Sequence, residues 1–373
     1  MLSVERLCQI FKEQEFIFFA GVPDSTFKSL MSYLADNKSF QNIISPNEGT
    51  AIATCSGYHL ATGKIGITYM QNSGLGNCVN PITSLTDPEV YSIPLLLLIG
   101  WRGEPGEKDE PQHKKMGRIT LPLLDTLEIP YEILSDKLDE AEKQIVRAKV
   151  AIAENQSLFA LVIKKGTIEK YKQNTDHVQD YEMSREDAIK TIVDKMKENE
   201  LVVSTTGKTS RELFEYREQL QQGHNYDFLT VGSMGQSSSI ALGIATQTKK
   251  RVYIFDGDGA TIMHMGALTT IGYSNQKNIY HIVFDNESYD STGGQPTLSP
   301  NVKFCTIAKS CGYKEAKEVS TKEELSNLMD EIQDKEGPYL VVVKTKKGAR
   351  KDLGRPTTTP IQNKQELMNF LSK

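Results

Sequence analysis

Asp258 and Asn286 are the residues whose types and spacing first suggest chemistry. An apolar run over 252–255 breaks into Asp256-Gly257-Asp258-Gly259, and a helical pattern follows through Met263, Leu268 and Ile271. A second apolar run over 279–284 then breaks into Asp285-Asn286-Glu287-Ser288. This order predicts one βαβ unit whose two strands end side by side in oxygen-bearing residues. Ligands of open parallel sheets bind at the carboxyl ends of the strands, and a hard cation such as Mg2+ takes oxygen ligands together with phosphate oxygens. Gly257 and Gly259 let backbone approach such phosphates, and the helix N-terminus after Gly259 favours their charge. Two ordinary turns would use the same residue types, so the rest of the chain has to separate the two readings.

Glu48 is the second candidate. It opens a small-residue helical stretch over 48–61, after Ser45-Pro46-Asn47 and before Thr62-Gly63. An acid at a helix start is favoured by the dipole in any protein, but paired with a phosphate-site pattern in the other half it becomes a candidate for a chemical role. A third group lies over 100–118, a Gly- and Pro-punctuated stretch read as a long loop after a strand. It carries Arg102, Lys114, Lys115 and Arg118, point charges and bidentate donors for a dianionic group. His113 in the same stretch titrates near neutrality when unperturbed and could move a proton. Gly21-Val22-Pro23-Asp24-Ser25 marks another strand end, and Gly232-Ser233-Met234-Gly235 a turn before a helix over 236–246. A basic run over 344–355 after the last strand is either a solvated tail or a lid. Two glycine-rich look-alikes fail. The Walker A ending Gly207-Lys208-Thr209 has Val202 where glycine is required, and Ile262 occupies the last dinucleotide-fingerprint glycine.

The elements that position these residues alternate helix and strand along 373 residues, enough for two domains. In the first half, strands are predicted at 16–20, 43–44 (short and buried), 65–70, 93–99 (uniformly apolar, hence buried on both faces) and 158–163 (closing the sheet). In the second, they fall at 201–204, 228–231, 252–255, 279–284 and 339–344. Alternation of this kind argues for a mostly parallel sheet with helices on both faces in each half, an α/β class. The polar, aperiodic stretch 171–183 reads as the linker between a domain over 1–170 and one over 184–373, and Ser184 with Asp187 as a capping signal. A net charge of −5 gives no electrostatic case for nucleic acid. The N-terminus lacks a signal-peptide pattern, no apolar run approaches a membrane span, and the five scattered cysteines read as reduced thiols. Together these predict a cytoplasmic protein.

Gly-Asp-Gly followed about 27 residues later by Asn, with PNEGTA and VGSMG, resembles the thiamine diphosphate-dependent 2-oxoacid decarboxylases. GVPDS, YMQNSGLGN, RGEPGEKDEPQHKKMG, TGKTSREL and RKDLGRPTTTPIQNK extend the resemblance over essentially the whole chain, which closely resembles the phosphonopyruvate decarboxylase family. The resemblance implies two tandem thiamine diphosphate-binding-type domains, pyrimidine-binding then diphosphate-binding, and a homodimer or higher homo-oligomer that shares the cofactor between subunits. It implies decarboxylation of 3-phosphonopyruvate to phosphonoacetaldehyde, with thiamine diphosphate and Mg2+ as cofactors and a small anionic 2-oxoacid as the partner. Residue by residue, Glu48 is implied to bond a ring nitrogen of the aminopyrimidine and activate the cofactor. Asp258, Asn286 and the Ser288 carbonyl are implied to hold Mg2+. Gly232, Ser233, Met234, Gly257, Gly259 and Ala260 are implied to line the cofactor, with Met234 propping its bent shape. Asp24 and His113 are candidate pocket acids or bases, and Ser25, Arg102, Lys114, Lys115 and Arg118 candidate substrate contacts. A sulfopyruvate decarboxylase is the neighbouring alternative, and a non-catalytic Mg-dependent phosphate-ligand-binding protein the alternative from another class; the latter would have no use for Glu48.

Overall fold

The computed structural model describes residues 1–174 and 181–372. The chain forms two compact units, residues 1–177 and 178–373. In the first, β1 (Phe18–Gly21), β2 (Gln41–Ile44), β3 (Gly66–Gln71), β4 (Leu95–Gly100), β5 (Tyr131–Ile133) and β6 (Leu158–Ile163) form one parallel sheet, order β2-β1-β3-β4-β6-β5. The period-2 alternation of strands divides the apolar residues between two cores. Leu96, Leu98, Phe159 and Leu161 enter one core, while Leu95, Leu97, Ile99, Leu158 and Val162 enter the other. Helices therefore cover both faces. The helix Glu48–Thr62 begins where the Asn47 side chain accepts from the Thr50 amide at 3.0 Å, and ends at Gly63 in the left-handed region (φ 68°).

The second unit repeats the plan. Here β7 (Leu201–Ser204), β8 (Asp227–Leu229), β9 (Val252–Gly257), β10 (Ile279–Asp285), β13 (Glu315–Val319) and β14 (Tyr339–Lys344) form a parallel sheet, order β13-β14-β10-β9-β7-β8. A small antiparallel pair, β11 (Ser288–Tyr289) and β12 (Gln295–Pro296), stands apart from it. Tyr253, Phe255, Val341 and Val343 face one core, and Val252, Ile254, Leu340 and Val342 the other. The helix Arg185–Lys195 starts on a capping box between Ser184 and Asp187.

The α/β reading holds, with corrections in detail. Strand β2 is an edge strand, and Ile43, expected to be buried, is 36% exposed. Strand β6 does not close its sheet; the short β5 lies outside it. Strand β13 and the β11–β12 pair were not anticipated. The stretch 100–118 is a loop only as far as residue 110, because Pro111–Thr126 is helical. All five cysteines are free thiols. Of the linker reading, residues 175–180 lie outside the described residues. Its near end is held by Tyr171, whose hydroxyl donates to Asp36 at 3.1 Å, and its far end by Tyr181, whose hydroxyl donates to Glu287 at 2.7 Å.

Candidate active site

Strands β9 and β10 run in register with Phe284 beside Gly257, so Asp258 and Asp285 emerge at neighbouring strand ends. Both carboxyls are buried, as are Asn286 and Ser288. Burial, and then the charge of Asp285, push the Asp258 carboxyl up to about 8. The Thr297 hydroxyl donates to it. Asp285 is matched instead by Lys344 at 2.7 Å and accepts from the Ser299 hydroxyl. Burial alone would lower the Lys344 ammonium; the hydrogen bond to Asp285 more than reverses this and holds it above its ordinary range.

The donor set suits a magnesium diphosphate. Among the described residues no basic side chain pairs with Asp258, a carboxyl only 2% exposed. The buried hydroxyls of Thr205, Ser288 and Thr345, just beyond β7, β10 and β14, have no hydrogen-bond partner among the described residues. A divalent cation and phosphate oxygens would supply both deficits. A cation held here would take Asp258, Asn286 Oδ1 and the Ser288 carbonyl as its oxygens. The Ser288 amide also donates to Asn286 Oδ1 at 3.1 Å.

The turn over 232–235 is drawn against the same place. Gly232, Ser233 and Gly235 all have positive φ (74°, 43° and 81°). A Cβ on Gly235 would fall 2.7 Å from the Ala260 carbonyl oxygen, so glycine is required for that approach. The Gly232 amide donates to the Thr206 hydroxyl at 3.1 Å, and Met234 is half-buried.

In the first unit, Glu48 is the first residue of its helix and 6% exposed. Asn77 Nδ2 donates to its Oε2 at 2.8 Å. Gly74 packs flat against it, since a Cβ there would lie 2.4 Å from Glu48 Cγ and 2.5 Å from Oε1. Both partners lie within YMQNSGLGN, yet no spacing rule marks them as partners of Glu48.

A second cluster gathers at the ends of β1, β3 and β4, where the strand order reverses between β1 and β3. Asp24 accepts from the Thr26 amide at 2.8 Å and from Gln71 Nε2 at 2.5 Å. Arg102 grips Asp109 through Nε and Nη2 (2.9 and 2.6 Å) and donates from Nη1 to the Ser25 hydroxyl at 3.0 Å. His113 Nδ1 lies 2.9 Å from the same Asp109. Burial would raise the Asp109 carboxyl, but Arg102 and His113 outweigh it and hold it far below the carboxylate range. Asp109, which sequence reasoning missed, thus joins Arg102 to His113, and the Arg102 charge is already matched. Lys114, Lys115 and Arg118 lie on the exposed side of the helix Pro111–Thr126 instead of in a loop.

The basic run after β14 is fastened down. Arg350 pairs with Glu186, Glu215 and Asp352, the Gly354 amide donates to Glu215, and the Lys346 amide donates to the Met183 carbonyl at 2.8 Å.

Residues 3–121 match the family described as "Thiamine pyrophosphate enzyme, N-terminal TPP binding domain", and residues 205–343 match "Thiamine pyrophosphate enzyme, C-terminal TPP binding domain". The chain is 34% identical to a phosphonopyruvate decarboxylase of Streptomyces viridochromogenes, covering 95% of this chain and 91% of that one. It is 32% identical to a phosphonopyruvate decarboxylase of Streptomyces hygroscopicus, covering 95% and 90%. It is 29% identical to a sulfopyruvate decarboxylase of Methanosarcina acetivorans, covering 86% and 85%.

Proposed function

The chain belongs to the thiamine pyrophosphate enzymes, among its decarboxylases, and from that premise we propose that it converts 3-phosphonopyruvate to phosphonoacetaldehyde and CO2 with thiamine diphosphate and Mg2+. We place the reaction in phosphonate biosynthesis, on a route to compounds such as 2-aminoethylphosphonate. Thiamine diphosphate, when bound, supplies the electron sink that lets a 2-oxoacid lose CO2. Asp258, Asn286 and the Ser288 carbonyl hold the cation, and Gly257, Gly259 and Ala260 form the helix start that faces the diphosphate. Gly232, Ser233 and Met234 form the turn that would support the cofactor when it is bound. Glu48, with Asn77 on Oε2, offers Oε1 to a ring nitrogen. Ser25, held by Arg102 Nη1, orients the substrate anion, Lys114, Lys115 and Arg118 add positive potential, and Asp24 and His113 are the groups able to hold or move a proton.

The observation that carries this reading is the buried Glu48, fixed by Asn77 and given room by Gly74. A protein that only bound a phosphorylated ligand would not need it. Gly74→Ala is therefore expected to displace the carboxyl. A misplacement of about 1 Å lowers turnover by roughly 100-fold, with little change in far-UV circular dichroism.

The substrate is tested by offering phosphonopyruvate, sulfopyruvate and pyruvate side by side in a coupled aldehyde assay. Phosphonopyruvate should show the highest kcat/KM, about 100-fold or more above pyruvate, which lacks the second anion. A higher kcat/KM for sulfopyruvate would replace this reading with that of the Methanosarcina acetivorans relative. The assembly proposed is a cytoplasmic homodimer or higher homo-oligomer. No helix among the described residues is long and apolar enough to cross a membrane.

A further inference from the structure

Resting on the proposed cation site, we infer that Asp290 is a positioning residue that sets which atom of the Asn286 amide faces the metal. Asp290 Oδ2 accepts from Asn286 Nδ2 at 2.9 Å. A carboxylate can only accept from an amide nitrogen, so this bond, together with the Ser288 amide that donates to Oδ1 at 3.1 Å, fixes the side chain's orientation and leaves Oδ1 as the oxygen donor. Two other elements hold Asp290 in turn. Arg185 Nη1, at the first position of its helix, lies 3.2 Å from Oδ2. Arg185 is itself gripped by Glu212 through Nε and Nη2 at 2.7 and 2.9 Å. The Gly348 amide, in the basic stretch after β14, donates to both Asp290 oxygens at 3.2 and 3.1 Å. Gly348 reaches them with φ 101°, a conformation that favours glycine. The stretch after β14 thus acts as a buttress to the metal site.

Charge arithmetic identifies the variant to make. Arg185 faces two acids, so removing Asp290 leaves it paired one to one with Glu212, whereas removing Arg185 would leave two buried carboxylates together. Asp290→Ala and the isosteric Asp290→Asn should therefore fold. In the full-length protein with saturating thiamine diphosphate, Mn2+ is titrated and its free signal followed by electron paramagnetic resonance. Outer-shell partners typically tune metal affinity by about 10- to 100-fold. Asp290→Ala should weaken Mn2+ by that amount, and Asp290→Asn by about 10-fold, with the melting temperature of the metal-free protein nearly unchanged. Asn286→Asp alone sets two carboxylates against each other and should also weaken it. Exchanging the pair, Asn286→Asp with Asp290→Asn, restores one amide facing one carboxylate and should bind several-fold tighter than either single variant.

Equal Mn2+ affinity in wild type and both Asp290 variants would overturn the inference alone, as would an exchange no tighter than the single variants. A wild-type protein that takes up no Mn2+ would overturn the proposed function, and this inference with it.

Discussion

Glu48→Ala is expected to bind thiamine diphosphate and Mg2+ with nearly wild-type affinity while losing nearly all turnover. The diphosphate and metal contacts proposed above come from Asp258, Asn286 and Ser288, so most of the binding free energy does not pass through Glu48. What the variant loses is the buried carboxyl proposed to meet a ring nitrogen, which Asn77 holds at 2.8 Å and the bare face of Gly74 gives room. Positioned acid–base groups contribute about 100- to 10,000-fold, and kcat should fall within that range. Calorimetry for cofactor affinity and steady-state kinetics for kcat separate the two quantities. Turnover that survived would remove Glu48 from the chemistry and return the chain to a ligand-binding reading.

Asp258→Asn should produce two effects of opposite sign. In the cation-free protein, the Asp258 carboxyl is pushed up to about 8 from its ordinary value near 3.8. Below the unfolded pKa the group is neutral in both states and costs nothing. As pH rises from about 4 to 8 the unfolded chain releases the proton first, so stability falls across that window. At about 1.4 kcal/mol per pKa unit the loss is on the order of several kcal/mol. The asparagine has no charge to bury and can still accept from Thr297. Its melting temperature without metal should therefore be higher than wild type at pH 8 and similar at pH 4.5. Added Mg2+ and thiamine diphosphate should stabilise the wild type and leave the variant unchanged. Thermal melts at the two pH values, with and without the ligands, read both effects. An unchanged pH 8 melting temperature in the metal-free variant would remove the electrostatic account of this site.

The placement of Asp258 and Asn286 at neighbouring strand ends was legible because the apolar run stops there. Glu48 was legible because a helix start is equally visible in the residue pattern. The partners were not. Nothing in the spacing joins Asn77 to Glu48, and a row of cations over 102–118 conceals that Asp109 has already claimed Arg102 and His113. The first part of the helix Pro111–Thr126, as far as residue 118, was read as loop because of Pro111 and Gly117. Pro111 sits at the helix start, where the missing amide hydrogen costs nothing. Gly117 is needed because its face meets the Gly103 carbonyl, which a Cβ would overlap. Strand β13 was hidden by its charges: Glu315, Lys317 and Glu318 give it the polarity of an edge, where charges discourage pairing with other chains.

Strand β4 has leucine on both faces, so sliding it by one residue would exchange leucine for leucine and leave either core nearly as greasy. Oil alone cannot tell this strand where to stop. Its tip can: a Cβ on Gly100 would come 2.9 Å from Asp24 Oδ1, and the next residue, Trp101, donates its ring nitrogen to the Gly117 carbonyl at 2.8 Å. The central strand of the first unit is thus aligned from its polar end, so a chain that mispaired there would lose its chemistry before it lost its hydrophobic contacts.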